Sequence, residues 1–246
     1  MEQIAYRITL SLTGIYVVLL AVIFYYKGLA YRRFTNYYRS RLFTVVWFAS
    51  FGIGFLLHSI FLWRYSWPAA ASALTTSYFH IGAICFSWGY IPLMNPNYLT
   101  RKIILRDSIF YAFALLAYWT VPFLWQQSPL FTFLSFCVFF TYAGLVAVTF
   151  YRTYNKVSYR MIHMPTSSIK EFIRWMQVCC DYIVLFGICS VVITALFPID
   201  ASPYTILLLA GAGMFTYMAY SLHNYGKVVE RDSQTNDSTT QNIYRQ

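Results

Sequence analysis

Charge is what this sequence has least of. Of its 246 residues 11% are charged and only 8 are Asp or Glu, whereas 59% are apolar. Soluble domains carry about 25% charged residues, and a globule of this size needs far more charge than this to cover its surface. The shortage excludes an ordinary soluble enzyme and a disordered chain. It also counts against a nucleic-acid partner, despite the net charge of +10, because nucleic-acid-binding surfaces are charge-rich. Cysteine is absent outside the apolar runs. All five, Cys85, Cys137, Cys179, Cys180 and Cys189, fall within them, so no disulfide framework is expected and each reads as a small hydrophobe.

Catalytic motifs are missing as well. The sequence has no H-E-x-x-H, no Walker loop and no Ser/His/acid set at one depth. Its histidines and Asp181 are too few and too far apart for a zinc or haem site. A retinal protein needs a lysine in mid-membrane, but Lys227 falls beyond the last apolar run. No cofactor and no metal are expected.

What is there is apolar length. Crossing a bilayer takes about 20 mostly apolar residues in a helix, because every backbone polar group must be satisfied internally. Seven such runs occur, at about 4–26, 42–63, 71–94, 108–125, 130–151, 177–197 and 204–223. None shows the period-two alternation of a membrane β-barrel. The expected fold is all-α, a bundle of seven transmembrane helices, followed by a polar tail over 224–246 that reads as disordered.

The scarce charge is unevenly placed. Sixteen of the 18 Lys and Arg residues fall in the connections 27–41, 95–107 and 152–176 and in the tail, leaving only Arg7 and Arg64 on the other side. The positive-inside rule then puts the amino terminus outside and the carboxyl terminus in the cytoplasm of a bacterial inner membrane. An odd number of spans requires the same opposition of ends. The basic face is expected to contact anionic lipid. The first run lacks the basic n-region and cleavage site of a signal peptide.

Polar side chains at membrane depth are costly, so each one is a candidate site. His58 and His80 lie in the outer halves of spans two and three, about 8 and 14 Å below the boundary at 1.5 Å per residue. Ser50, Gly54 and His58 form one small, polar helix face, and Thr76 or Ser77, His80 and Ser87 form another. Such stripes favour helix contacts over lipid. They either hydrogen-bond to each other or line an outer pocket of His58, His80 and Ser77. Asp181 is the candidate inner polar site, with pairing to a loop Arg, Lys or Tyr as its simplest explanation. Arg7, near the outer end of span one, can snorkel outward or meet Glu2.

At the inner face Ser168 and Glu171 have the S-x-x-E spacing of a capping box. Helix six is therefore expected to start near Ile169, two turns before the membrane. Lys170, Glu171 and Arg174 would lie on its polar face, and the stub is either a solvated, interfacial helix start or an element that couples bundle motion to a cytoplasmic partner. Phe24-Tyr25-Tyr26-Lys27 loosely echoes Phe150-Tyr151-Arg152, but aromatic-then-basic is also what any inner boundary looks like, and no further repeat follows.

The segment from Thr76-Ser77-Tyr78-Phe79-His80 to Trp88-Gly89-Tyr90, running on to Asn95-Pro96-Asn97-Tyr98, resembles, together with His58 and Arg64, the seven-helix membrane modules that precede output domains in signalling proteins of Bacteroidetes. The resemblance implies a sensory or regulatory module without catalytic activity. Only the polar tail follows Tyr225, so such a module would signal through a separate cytoplasmic partner. A small-solute transporter or channel is the alternative. The oligomeric state is not legible.

Overall fold

The computed structural model describes the backbone of residues 2–124, 129–162, 168–196 and 202–243, with side chains described over 2–120, 133–160, 173–190, 192–193 and 202–231. All the described elements are helical: α1 (Glu2–Gly28), a 3-10 turn (Leu29–Tyr31), α2 (Thr35–Phe61), a one-turn α3 (Trp63–Ser66), α4 (Pro68–Met94), α5 (Arg101–Leu124), α6 (Pro129–Ile162), α7 (Ser168–Leu196) and α8 (Ser202–Ile243). Seven of them, all but the 3-10 turn and α3, are long and apolar enough to cross a membrane.

α1, α2, α4, α6, α7 and α8 touch in that order and close a ring from α8 back to α1, while α5 packs outside on α4 and α6. The ring has two ends. Glu2, Arg64 and Ser202 lie at the amino end; Lys27, Arg41 and Glu230 lie at the other, here called the basic end. Both faces of most helices are apolar, which suits a helix with protein on one side and lipid on the other. On α1, for example, Ile4, Ile8, Leu12, Ile15 and Leu19 point out of the bundle while Tyr6, Leu10 and Val17 point in.

Aromatic rings fill the middle. Trp47, Phe48 and Phe51 of α2 meet Phe86 of α4 and Phe215 of α8, largely edge-on, with centroids 5.1–6.4 Å apart. This is the arrangement aromatic quadrupoles prefer. Small residues let the backbones close up elsewhere. A Cβ at Gly52 would stand 2.6 Å from Val18 Cγ2 and 3.0 Å from the carbonyl oxygen of Gly14, so α1 and α2 cross where neither carries a side chain.

The helices overrun the apolar runs at the basic end. α5 starts at Arg101 rather than Ser108 because Thr100 caps it, its Oγ1 accepting from the Ile103 amide at 3.4 Å. α8 continues to Ile243, so residues 224–243 of the tail expected to be disordered are helical backbone. No proline interrupts it, and its first turns are tied to the bundle. Tyr37 Oη donates to the Leu222 carbonyl at 2.8 Å, and Arg33 pairs with Glu230 at 2.9 Å. Gly226 passes directly over the Tyr37 ring, where a Cβ would collide with the hydroxyl.

At the amino end α2 stops at Leu62, which adopts the left-handed conformation (φ 49°) and returns its amide to the His58 carbonyl at 3.0 Å. A leucine in this region is strained. The turn it makes swings α3 back over the bundle, and Pro68 at the first position of α4 restarts the chain. Trp63 packs against Trp67 and Trp119.

Candidate functional site

The α3 turn carries Arg64 into the bundle rather than out of it. Its side chain is only 6% exposed. Nε donates to Tyr6 Oη of α1 at 3.2 Å, and the guanidinium carbon lies 3.3 Å over the Tyr204 ring of α8, a cation–π contact. Among the described residues no carboxylate pairs with it. Glu2, the described acidic residue at this end, accepts from the Ser202 amide and hydroxyl instead, each at 3.2 Å.

His58 lines the same small cavity, about 30 Å³, together with Tyr6, Arg64, Thr75, Tyr78 and Tyr204. Its Nε2 is 3.0 Å from Thr75 Oγ1, while among the described residues neither its buried Nδ1 nor the buried Tyr204 hydroxyl has a partner. Phe51, Phe55 and Phe79 close on Tyr78 with centroids 4.7–5.8 Å away, flooring the cavity with rings. The site is thus a buried cation and unpartnered polar atoms above an aromatic plug.

His80 does not join it. Fully buried, it lies on the opposite face of α4 from Tyr78, two residues away at 100° each. Its Nδ1 is 2.8 Å from Tyr118 Oη of α5 and its ring stacks on Tyr142 of α6 at 4.5 Å. Ser77 goes with His80: its hydroxyl accepts from Trp119 Nε1 at 3.1 Å. The two polar stripes expected to face one another are therefore separated by α4 itself, whose polar residues serve neighbours on both sides. Gly54 is small for a different reason, lying under the Tyr78 ring with room for no Cβ.

The inner polar site is also different from the one expected. Asp107, counted with the connection 95–107, is completely buried two turns inside α5. Trp88 Nε1 donates to its Oδ2 at 2.8 Å, and Arg106 Nε and a terminal nitrogen lie 2.9 and 2.8 Å from its Oδ1. Asp181 is exposed on the outside of the bundle, accepting from the Tyr151 hydroxyl. Arg41, another residue the sequence did not single out, is 1% exposed; it donates to Tyr37 Oη at 2.9 Å and to the Phe24 carbonyl at 2.7 Å.

α7 begins at Ser168, one residue from the expected start. The side chains of Ser168, Lys170 and Glu171 lie outside the described residues; Arg174 is exposed. A second cavity, about 150 Å³, sits between α2, α4, α6, α7 and α8 and is lined by apolar groups such as Phe86, Ala143, Gly144 and Met214. Among the described residues no three His, Cys, Asp or Glu side chains gather.

Thr100 could have revealed Asp107, since a Thr before a basic–apolar run is a helix-start signal that places the acid inside the helix. Arg64 had no such signal: between Trp63 and Tyr65 it reads as an interfacial residue, and only the left-handed turn at Leu62 brings it inward. Comparison with known proteins adds no relative: no family model, no curated protein and no solved structure matches the chain.

Proposed function

We propose that this chain is a multi-pass sensory or regulatory membrane module without catalytic activity. Its amino end faces outward from a bacterial cytoplasmic membrane, its basic end lies against anionic lipid, and it signals through a separate cytoplasmic partner. The observation that carries the reading is the Arg64–His58 cavity, lined by Tyr6, His58, Arg64, Thr75 and Tyr204 and backed by rings such as Phe55 and Phe79. A small site backed by apolar side chains fits binding better than passage.

α8 supplies the means of read-out. Tyr204, under the Arg64 guanidinium, belongs to the same 42-residue helix that reaches the basic end, about 63 Å long at 1.5 Å per residue. A shift at Tyr204 is therefore carried along one helix to the basic end, where it works against the buried Tyr37–Leu222 bond and the surface pair Arg33–Glu230. The basic connections and the start of α7 offer further contact to a partner.

Transport remains the second reading, favoured by polar groups in both halves along α4, α5 and α6: His80 with Tyr118, and Asp107 with Trp88 and Arg106. Proteoliposomes separate the two. Loaded with a pH-sensitive dye and challenged with gradients of small anions, cations and amino acids, they are expected to show no more flux than empty vesicles. Protein-dependent flux abolished by Asp107→Asn would overturn the sensor reading.

A further inference from the structure

A cation buried without an acid needs its charge answered in some other way. Arg64 is 6% exposed, and among the described residues its one hydrogen-bond partner is the neutral Tyr6 hydroxyl, at Nε. The ring of Tyr204 offers a quadrupole and no full charge. Burying an uncompensated charge is unfavourable, yet here a strained left-handed leucine brings the guanidinium inside.

The polar atoms around the same cavity have matching chemistry. His58 Nε2 faces the Thr75 hydroxyl; when that hydroxyl donates, the imidazole proton resides on Nδ1, which is buried and, among the described residues, has nothing to donate to. The Tyr204 hydroxyl is buried and unpartnered as well. The Tyr6 hydroxyl accepts from Arg64 and keeps its own hydrogen to give. Among the described residues no carboxylate lines the cavity; its polar neighbours can donate, and the rest of its wall is apolar, with Leu10, Phe55, Phe186 and Leu208. The volume, about 30 Å³, has room for one or two water-sized bodies.

We propose that this cavity is a binding site for a small singly charged anion, of halide-to-formate size, held by Arg64 with His58 Nδ1–H and the Tyr204 hydroxyl. The proposal rests on the reading of the cavity as a binding site and names its ligand class. Occupation supplies the missing counter-charge, ties α3, α2 and α8 together, and thereby stabilises the folded bundle by linkage. Larger divalent anions are excluded by size.

The test uses the purified full chain in detergent, with sodium chloride exchanged for sodium gluconate at constant ionic strength and thermal unfolding followed by tryptophan fluorescence. The unfolding temperature is expected to rise saturably with chloride and with formate, and to stay flat with gluconate and sulfate. Arg64→Gln should abolish the response. Tyr204→Phe, which keeps the ring under Arg64, should raise the half-saturating chloride concentration about tenfold through the loss of one charge-assisted hydrogen bond. The wild-type series alone decides the matter if Arg64→Gln does not fold: equal unfolding temperatures in chloride and gluconate would overturn the proposal, and so would a chloride response unchanged in Tyr204→Phe. A chloride response that leaves the basic end of α8 unaltered would retain the anion site and remove the sensor reading, whereas coupling to the basic end without a chloride response would do the reverse.

Discussion

Asp107 and Asp181 are both carboxylates near the basic end, and their surroundings set opposite expectations for their removal. Asp107 is buried between Trp88 and Arg106. Asp107→Ala leaves the indole N–H without its acceptor, which costs about 1–3 kcal/mol and should lower the unfolding temperature in detergent. Asp181 stands outside the bundle with one tyrosine partner, and Asp181→Asn should alter stability by no more than about 0.5 kcal/mol. The sequence ranked these two the other way round, because a hydropathy run sees Asp107 as the end of a connection and Asp181 as the interior of a span. His58 and His80 were legible by their rarity at membrane depth, but not their separation: sequence gives the depth of a side chain, and only the helix arrangement gives its azimuth. Arg64 was hidden by a backbone conformation that leucine rarely adopts.

At the scale of elements, the seven long helices were readable because a segment apolar enough to cross some 30 Å of hydrocarbon must satisfy its own backbone, as a helix does. Their ends were not, since Arg101–Arg106 and the polar stretch of α8 carry helix-compatible residues that no apolar run reports. Contact between α1 and α2 depends on Gly52. Gly52→Ala drives a methyl group into Val18 and the Gly14 carbonyl and should cost about 1–3 kcal/mol. Gly144→Ala on α6 meets nothing within 4 Å and, by improving helix propensity, should be neutral or stabilising by up to about 1 kcal/mol. Both are read by unfolding in detergent. The attachment of α8 depends on Tyr37, whose hydroxyl joins Arg41 to the Leu222 carbonyl. Tyr37→Phe removes both bonds, and faster amide exchange over 222–231 is the expected sign.

For the whole molecule, the segregation of charge is the property most plainly written in the sequence, and the proposed orientation rests on it. With a cysteine placed at exposed Ser66 or exposed Arg231, a membrane-impermeant maleimide should label Ser66→Cys in intact cells and Arg231→Cys only after permeabilisation. The reverse pattern would invert the bundle and put the Arg64 cavity on the cytoplasmic side. What charge segregation does not contain is any link between the two ends, and that link is α8, with Tyr204 in the cavity and Glu230 at the far surface. Its most direct test is amide hydrogen exchange over 222–231 in wild type and in His58→Phe, which perturbs the cavity and nothing at the basic end. If the cavity governs α8, exchange there changes while α5, which packs away from the cavity on α4 and α6, exchanges as before. Identical exchange over 222–231 in the two proteins, or a change spread equally over α5, would contradict the coupling.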